Sequence, residues 1–417
     1  MSFDTPNYTR LNTPIHHFNS VEEAVPNFSH EGLYSINIGH PDLPLDLLVK
    51  NFNNTHKDTV IIAFAGAVPN RPQKSPPFFE FTGVSQQLSS SVPFIAIADP
   101  SLYMDQTLNL AWYAGNRYLP DLQQQIARLL DLIAEFYGCR LVLLGASGGG
   151  FAALNTLAML STDNASVFTW NPQIKIANYE AWAVKRYLTT CFEIPSNEML
   201  THENLETAIA KIGVSGEAQH RRGKGKIVYF INDTDIPHIF RHMKRYFQAA
   251  TMEKINDQNF LSGNTLVHIG HFGNGHAGPS KDIVIEAVND VVSDRHPLVH
   301  KCLGYKAPRP PLWLNPQTSY ELRNSGPEYY LFDHKLICNF PLRQYGSYII
   351  RWLVSDKLLG TQKQFDWGTN TLLAIDLKHF SSSSQLTSVL EVEGLFGRTK
   401  TYTRTLDISL IQPLVAL

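Results

Sequence analysis

The chain has 417 residues, 43% of them hydrophobic and 17% charged, with a formal net charge of −2. A chain of that length exceeds one ordinary domain, so two are expected, the larger with an ample core. The near-zero charge excludes the strongly basic balance of a nucleic-acid or anionic-membrane binder. The four cysteines, Cys139, Cys191, Cys302 and Cys338, lack CxxC spacing and imply neither a zinc site nor a disulfide framework.

Met1-Ser2-Phe3-Asp4-Thr5-Pro6 lacks the basic and apolar regions of a signal peptide, and no run is long enough to span a bilayer, so a soluble cytoplasmic protein is expected. The polar, proline-punctuated stretch before Gly32 reads as an irregular lead-in. Two alternating runs follow, 33–38 and 45–49, which read as an antiparallel opening to a sheet. Residues 59–65 are apolar after Thr59 and stop at Gly66-Ala67, as a buried central strand would. The loop 68–77 carries Pro69, Pro72, Pro76 and Pro77 and is expected over the strand ends. Residues 93–98 make the next strand, stopping at Asp99-Pro100-Ser101. A helix is predicted over 119–136, where Leu122, Ile126, Leu129, Leu130, Ile133 and Ala134 recur at helical spacing.

The segment 141–154 then reads as strand, sharp turn, helix. Leu141-Val142-Leu143-Leu144 suits a buried parallel strand, and the residues from Phe151 onward are rich in Ala and Leu with no proline. The turn between them, Gly145-Ala146-Ser147-Gly148-Gly149, has the G-x-S-x-G spacing of a nucleophile elbow, where flanking glycines let helix and strand close around a serine in a strained conformation. The same letters fit a glycine-rich dinucleotide turn, but that motif needs an acidic residue at the end of the next strand. The next strand, 166–170, runs into Asn171-Pro172-Gln173 with no carboxylate.

Residues 174–217 contain helix-like pieces and no convincing strand, which fits a cap-like insertion at about 174–224. Residues 226–231 resume the sheet with 239–250 as their helix; 265–269 form the last strand of this half and 283–292 its closing helix. Strand and helix alternate, so a mostly parallel sheet with helices on both faces is expected. Near Tyr305 the pattern changes. Lys306-Ala307-Pro308-Arg309-Pro310-Pro311 reads as a stiff linker, and beyond it the runs 336–338, 348–354, 372–375, 389–392 and 406–410 are strand-like and separated by turn-rich segments. The expected organisation is therefore an α/β domain over 1–304 followed by an all-β sandwich over 305–417.

A serine nucleophile needs a base, and the base an orienting carboxylate, all at the carboxyl ends of strands. After Ile269 comes Gly270-His271-Phe272-Gly273-Asn274-Gly275-His276. His276, in a Gly-His-Ala-Gly-Pro loop before a helix, is the candidate base; His271 is the alternative or a substrate contact, and His268 reads as a sheet residue. After Ile231, Asn232-Asp233-Thr234-Asp235 offers two carboxylates, with Asp235 the candidate acid, Asp233 the alternative or a turn cap, and Asp99 a loop anchor.

The order Ser147, Asp235, His276 is that of the α/β-hydrolase superfamily, and residues from about Gly32 to Val292 resemble it, through the elbow, the Asn-Asp-Thr-Asp turn and the Gly-His loop. The resemblance implies acyl-enzyme chemistry at Ser147 and an oxyanion hole from the Gly148 amide with a second donor at Gly66 or Ala67. The His-Gly-Gly-Gly signature of many lipases is absent. The Asn232-x-x-Asp235-x-x-His238-x-x-x-His242 series, with Asn171-Pro172-Gln173, is further similar to bacterial hydrolase-like proteins associated with surface glycans, including acetyltransferase-like proteins of accessory secretion systems.

His238 and His242 stand one helical turn apart, but no glutamate completes a His-Glu-x-x-His motif, so no metal is expected. The run Arg221-Arg222-Gly223-Lys224-Gly225-Lys226 reads as a solvated loop or a contact for an anionic substrate. Trp112, Tyr113, Asn171, His238 and His271 are the candidate substrate contacts; for the aromatic residues a core position is the competing reading. The expected function is serine-dependent hydrolysis of an ester, on a small molecule or a glycan, with no cofactor. Acyl transfer to a carbohydrate hydroxyl by the same triad, and a non-catalytic binding or assembly role, are the alternatives. Homo-oligomerisation through the C-terminal region is a further expectation.

Overall fold

The computed structural model describes residues 3–53, 58–88, 92–199, 201–219, 225–235, 237–247, 250, 252–255 and 258–293, and seven strands between 328 and 407. The chain divides into two compact units, Met1–Tyr246 with Met252–Ala307, and Phe247–Thr251 with Pro308–Leu417.

The first unit is built on an eleven-stranded sheet. Its strands are β1 (Ile15–Phe18), β2 (Gly32–Ile36), β3 (Leu45–Lys50), β4 (Thr59–Phe64), β5 (Phe94–Ile97), β6 (Arg140–Ala146), β7 (Ala165–Trp170), β8 (Lys226–Asn232), β9 (Glu253–Lys254), β10 (Asn259–Ser262) and β11 (Thr265–Gly270). They lie in the order β1-β2-β3-β5-β4-β6-β7-β8-β11-β10-β9. The run from β5 to β11 is parallel, and antiparallel strands flank it on both sides. Continuous apolar runs such as Val60-Ile61-Ile62-Ala63-Phe64 and Leu141-Val142-Leu143-Leu144 suit strands covered on both faces, and these side chains are buried.

Among the described residues eight α-helical segments accompany the sheet: α1 (Val21–Ala24), α2 (Thr82–Ser85), α3 (Leu122–Tyr137), α4 (Ser147–Met159), α5 (Ala181–Phe192), α6 (His202–Lys211), α7 (Lys244–Tyr246) and α8 (Lys281–Val292). α3 ends at Gly138, whose left-handed φ of +60° closes the helix. One face of the sheet, through Ile61, Val142, Leu144, Phe168, Val228 and Phe230, packs with Val284, Val288 and Val291 of α8. α5 and α6 occupy the segment expected to cap the sheet, and α6 opens with a capping box between Thr201 and Asn204.

The parallel strands end abreast. Ala146 stands level with Trp170, Trp170 with Phe230, and Asn232 with Gly270. The turns that follow β6, β7, β8 and β11 therefore leave one edge of the sheet together, and that register delivers distant residues to a common site.

Three expectations are corrected. The lead-in before Gly32 contains β1, which pairs in parallel with β2. A short hairpin, β9 and β10, extends the sheet beyond β11 where no strand was expected. The helix expected over 239–250 is instead a π-helical turn, His238–Met243, continued by α7. In the second unit the described strands are β12 (Glu328–Phe332), β13 (Lys335–Phe340), β14 (Gly346–Val354), β15 (Lys357–Asp366), β16 (Thr371–Asp376), β17 (Gln385–Gly394) and β18 (Thr399–Asp407). They form two antiparallel sheets, β12-β13-β16 and β15-β14-β17-β18, with no helix among the described residues. The proline-rich linker and the run Arg221 to Lys224 lie outside the described residues.

Candidate active site

Ser147 opens α4 directly after β6 and holds φ at +52°, a conformation L residues other than Gly, Asn and Asp seldom adopt. Such strain costs about 1–3 kcal/mol and persists only where the surroundings enforce it. Here they do: a Cβ on Gly145 would stand 2.2 Å from the Gly149 carbonyl oxygen, and one on Gly149 would stand 2.3 Å from that of Phe64. Strand β6, helix α4 and the end of β4 thus approach at distances only glycine allows.

The serine is fixed from the turn after β7. The Gln173 amide N–H donates to the Ser147 carbonyl (3.0 Å), and Gln173 Nε2 donates to Ser147 Oγ (3.1 Å). Gln173 is fully buried, and its own Oε1 accepts from Trp112 Nε1. Asn171, also at positive φ (+42°), spends its side chain as a bracket: Nδ2 donates to the Ala277 carbonyl (2.9 Å) and Oδ1 accepts from the Asn232 N–H (2.8 Å). The segment Asn171 to Gln173 therefore ties the serine turn to the loop bearing His276.

That loop is shaped by Asn232. Its Nδ2 donates to the carbonyls of Gly273 (3.0 Å) and Gly275 (2.6 Å), and its Oδ1 accepts from the Phe272 N–H (2.7 Å). The next turn presents Asp235, buried, with Oδ2 2.5 Å from Nδ1 of His276 and Oδ1 2.9 Å from Nδ1 of His238. Burial alone would raise the Asp235 carboxyl, but hydrogen bonds from His238 and His276 outweigh it and hold the group well below the usual carboxylate range. It is therefore an anion in contact with His276, whose side chain is 45% exposed. Asp233 pairs separately with His271, at 2.8 Å, so the geometry gives the carboxylate facing His276 to Asp235. His268 is a buried sheet residue bonded to Asn259, and Asp99 anchors a loop by accepting from the N–H groups of Ser101 and Tyr113.

Several expected substrate contacts sit elsewhere. Trp112 and Tyr113 are 1% and 3% exposed, at positive φ (+57° and +55°). Their polar ends are committed to the frame, Trp112 to Gln173 and the Tyr113 hydroxyl to the Ala65 N–H (2.7 Å) and the Ile97 carbonyl (2.8 Å). Trp112 thus supports the glutamine that fixes Ser147, and Tyr113 braces the ends of β4 and β5. Asn171 is structural for the reasons above, and His238 is buried behind His276. Of the two expected second donors, the Gly66 N–H is occupied by Glu80 Oε2 at 3.0 Å, which leaves Ala67 as the candidate. Burial raises the Glu80 carboxyl. Neither Glu80 nor the roles of Gln173 and Asn232 follow from spacing; the signal for Gln173 was its place directly after a strand end.

Asp235, His238 and His276 also bring one donor atom each within 4.8 Å of one another, close enough to hold a metal ion. Both imidazoles direct Nδ1 at the carboxylate, which is the geometry of hydrogen bonds. Among the described residues no helix is long and apolar enough to cross a membrane.

A mostly parallel sheet with helices on both faces, and a positive-φ serine between β6 and α4, define an α/β-hydrolase-like fold. No protein family profile matches the sequence, and no curated protein does. Among solved structures the chain is similar to the Glycosylation Associate Protein (Gap123) complex from Streptococcus agalactiae, at 16% identity and a TM-score of 0.41 over 61% of this chain. The likeness spans 45% of that chain, less than half its length. It is similar also to the capsule O-acetyltransferase of Neisseria meningitidis serogroup A, at 19% identity and a TM-score of 0.42 over 61% of this chain and 96% of that one. Est1E from Butyrivibrio proteoclasticus matches 61% of this chain and 96% of its own, at 11% identity and a TM-score of 0.36.

Proposed function

We propose that the chain is a serine-dependent hydrolase that cleaves an ester through an acyl-enzyme, with Ser147, His276 and Asp235 as nucleophile, base and orienting acid. The observation that carries the reading is the bracket at Asn171 to Gln173, which ties a strained serine to a histidine already paired with a buried carboxylate. In this reading Ser147 Oγ attacks the ester carbonyl carbon while His276 Nε2 takes the hydroxyl proton. The negative charge on the carbonyl oxygen meets the N–H groups of Gly148 and Ala67. Collapse breaks the bond to the alcohol, which leaves with the proton from His276, and water activated by His276 then hydrolyses the acyl-serine. Asp235 holds Nδ1–H and stabilises the imidazolium. Residues 305–417 act as an accessory β-sandwich supplying no member of the triad.

A fluorophosphonate probe should label Ser147, and Ser147→Ala should abolish labelling in a protein that remains folded. Labelling that survives the substitution would refute the assignment. Supplying a labelled acetyl ester with a panel of sugars reads the acceptor: release to water supports hydrolysis, and transfer to a sugar hydroxyl would replace it with acyl transfer.

A further inference from the structure

Asp235 is shared between two histidines. His276 takes Oδ2, and His238, three residues along the same turn, takes Oδ1 at 2.9 Å. The two imidazole rings stack, with centroids 4.2 Å apart and planes inclined by 27°. A carboxylate only accepts, so His238 Nδ1 carries its proton, and the Nε2 of a neutral ring is then a bare acceptor. That atom is buried with no hydrogen-bond partner. Leaving a polar atom so placed is costly.

On the strength of the proposed triad, we infer that His238 is a positioning residue for the reaction, a second imidazole that clamps the triad carboxylate and backs the ring of the catalytic base. Both carboxylate oxygens are engaged, so rotation of Asp235 about its side chain cannot release His276. The stacked ring limits tilting of His276 toward the interior. A donor on Oδ1 draws charge from Oδ2, which weakens the hold on the imidazolium and eases proton return to the leaving group. Burial lowers His238 below the ordinary histidine range, against the raising effect of Asp235. The other groups facing this pair are Arg241, which also disfavours a second positive charge, and His242, held neutral by burial with Nδ1 accepting from the Ile174 N–H at 3.1 Å. Tyr179 stands edge-on to the His238 ring.

The test compares His238→Phe, which keeps a flat ring and removes the donor, with His238→Gln, which keeps a donor and removes the ring. In the full-length protein the Phe variant should label at Ser147 about tenfold more slowly at neutral pH, with the acid limb of its pH–rate profile displaced upward by roughly half to one unit. The Gln variant should recover most of that displacement. A Phe variant with the wild-type rate and profile, or a Gln variant displaced as far as Phe, would overturn the inference. Proton NMR reads the clamp without activity: of two low-field imidazole N–H resonances, one from each histidine on Asp235, one should vanish in His238→Phe and the other in His276→Ala, and a His238→Phe spectrum that keeps both would refute the hydrogen bond. Absence of labelling in the wild type would defeat the hydrolase reading, while the NMR arm would still decide the clamp.

Discussion

Gly149→Ala probes the packing that strains Ser147. The added methyl carbon would lie 2.3 Å from the Phe64 carbonyl oxygen, 2.8 Å from that of Ala65 and 2.9 Å from the Ala65 carbonyl carbon, all backbone atoms. The first contact is about 1 Å short of ordinary van der Waals separation, and no side chain can rotate away, so α4 must lift from the sheet or the end of β4 must move. Overpacking of this kind costs roughly 1–3 kcal/mol, with more when backbone must shift; we expect at least 3 here. Gly138→Ala is the control. At Gly138 a methyl group would meet nothing within 4 Å, and only the left-handed φ of +60° opposes it, a cost of about 1 kcal/mol. Urea unfolding of both variants, with fluorophosphonate labelling on the folded fraction, separates the two effects. Gly149→Ala should lose the larger stability and nearly all labelling, because Ala65 leads directly into Gly66 and Ala67, whereas Gly138→Ala should label as the wild type. A Gly149→Ala protein as stable and reactive as Gly138→Ala would refute the claim that close approach at this glycine sets the elbow.

The two neighbouring aspartates should separate cleanly: Asp235→Asn should reduce ester turnover by about 10⁴-fold by favouring the wrong tautomer of His276, whereas Asp233→Asn, whose partner is His271, should stay within tenfold in the same kinetic assay. Asp46, buried under the hydroxyls of Tyr103 (2.7 Å) and Tyr8 (3.2 Å), is raised by burial from 3.8 to about 6. The folded state therefore holds its proton more tightly than the unfolded chain, and the stability this confers is present below pH 3.8 and lost as pH rises through about 6. Relative to the wild type, Asp46→Asn should gain about 3 kcal/mol in unfolding free energy between pH 3.5 and 7.5; a pH-independent difference would contradict the assignment.

The features legible in the sequence are those set by local pattern. Val60 to Phe64 and Leu141 to Leu144 read as buried strands because both faces of the sheet are covered, and Ser147, Asp235 and His276 could be ordered because each follows a strand whose end is abreast of its neighbours. β1 was not legible, since Ile15-His16-His17-Phe18 is short and gains its identity only by lying beside β2. The roles of Trp112 and Tyr113 are not legible, because two successive left-handed residues bury both rings and turn one to Gln173 and the other to the ends of β4 and β5. His238 reads from the sequence as a substrate contact one helical turn from His242; the π-turn it opens, with its ring on Asp235, has no signature in residue type. Glu80 on Gly66 is a contact between a loop and a strand end, which periodicity does not record.

The central claim is that Ser147 becomes acylated. Rapid-quench mass spectrometry after mixing the protein with an activated acetyl ester tests it most directly: one acetyl group should appear on the peptide containing Ser147, decay on further incubation in water, and be absent from Ser147→Ala. Ester cleavage with no adduct on that peptide, or an adduct on it that does not turn over, would contradict the account.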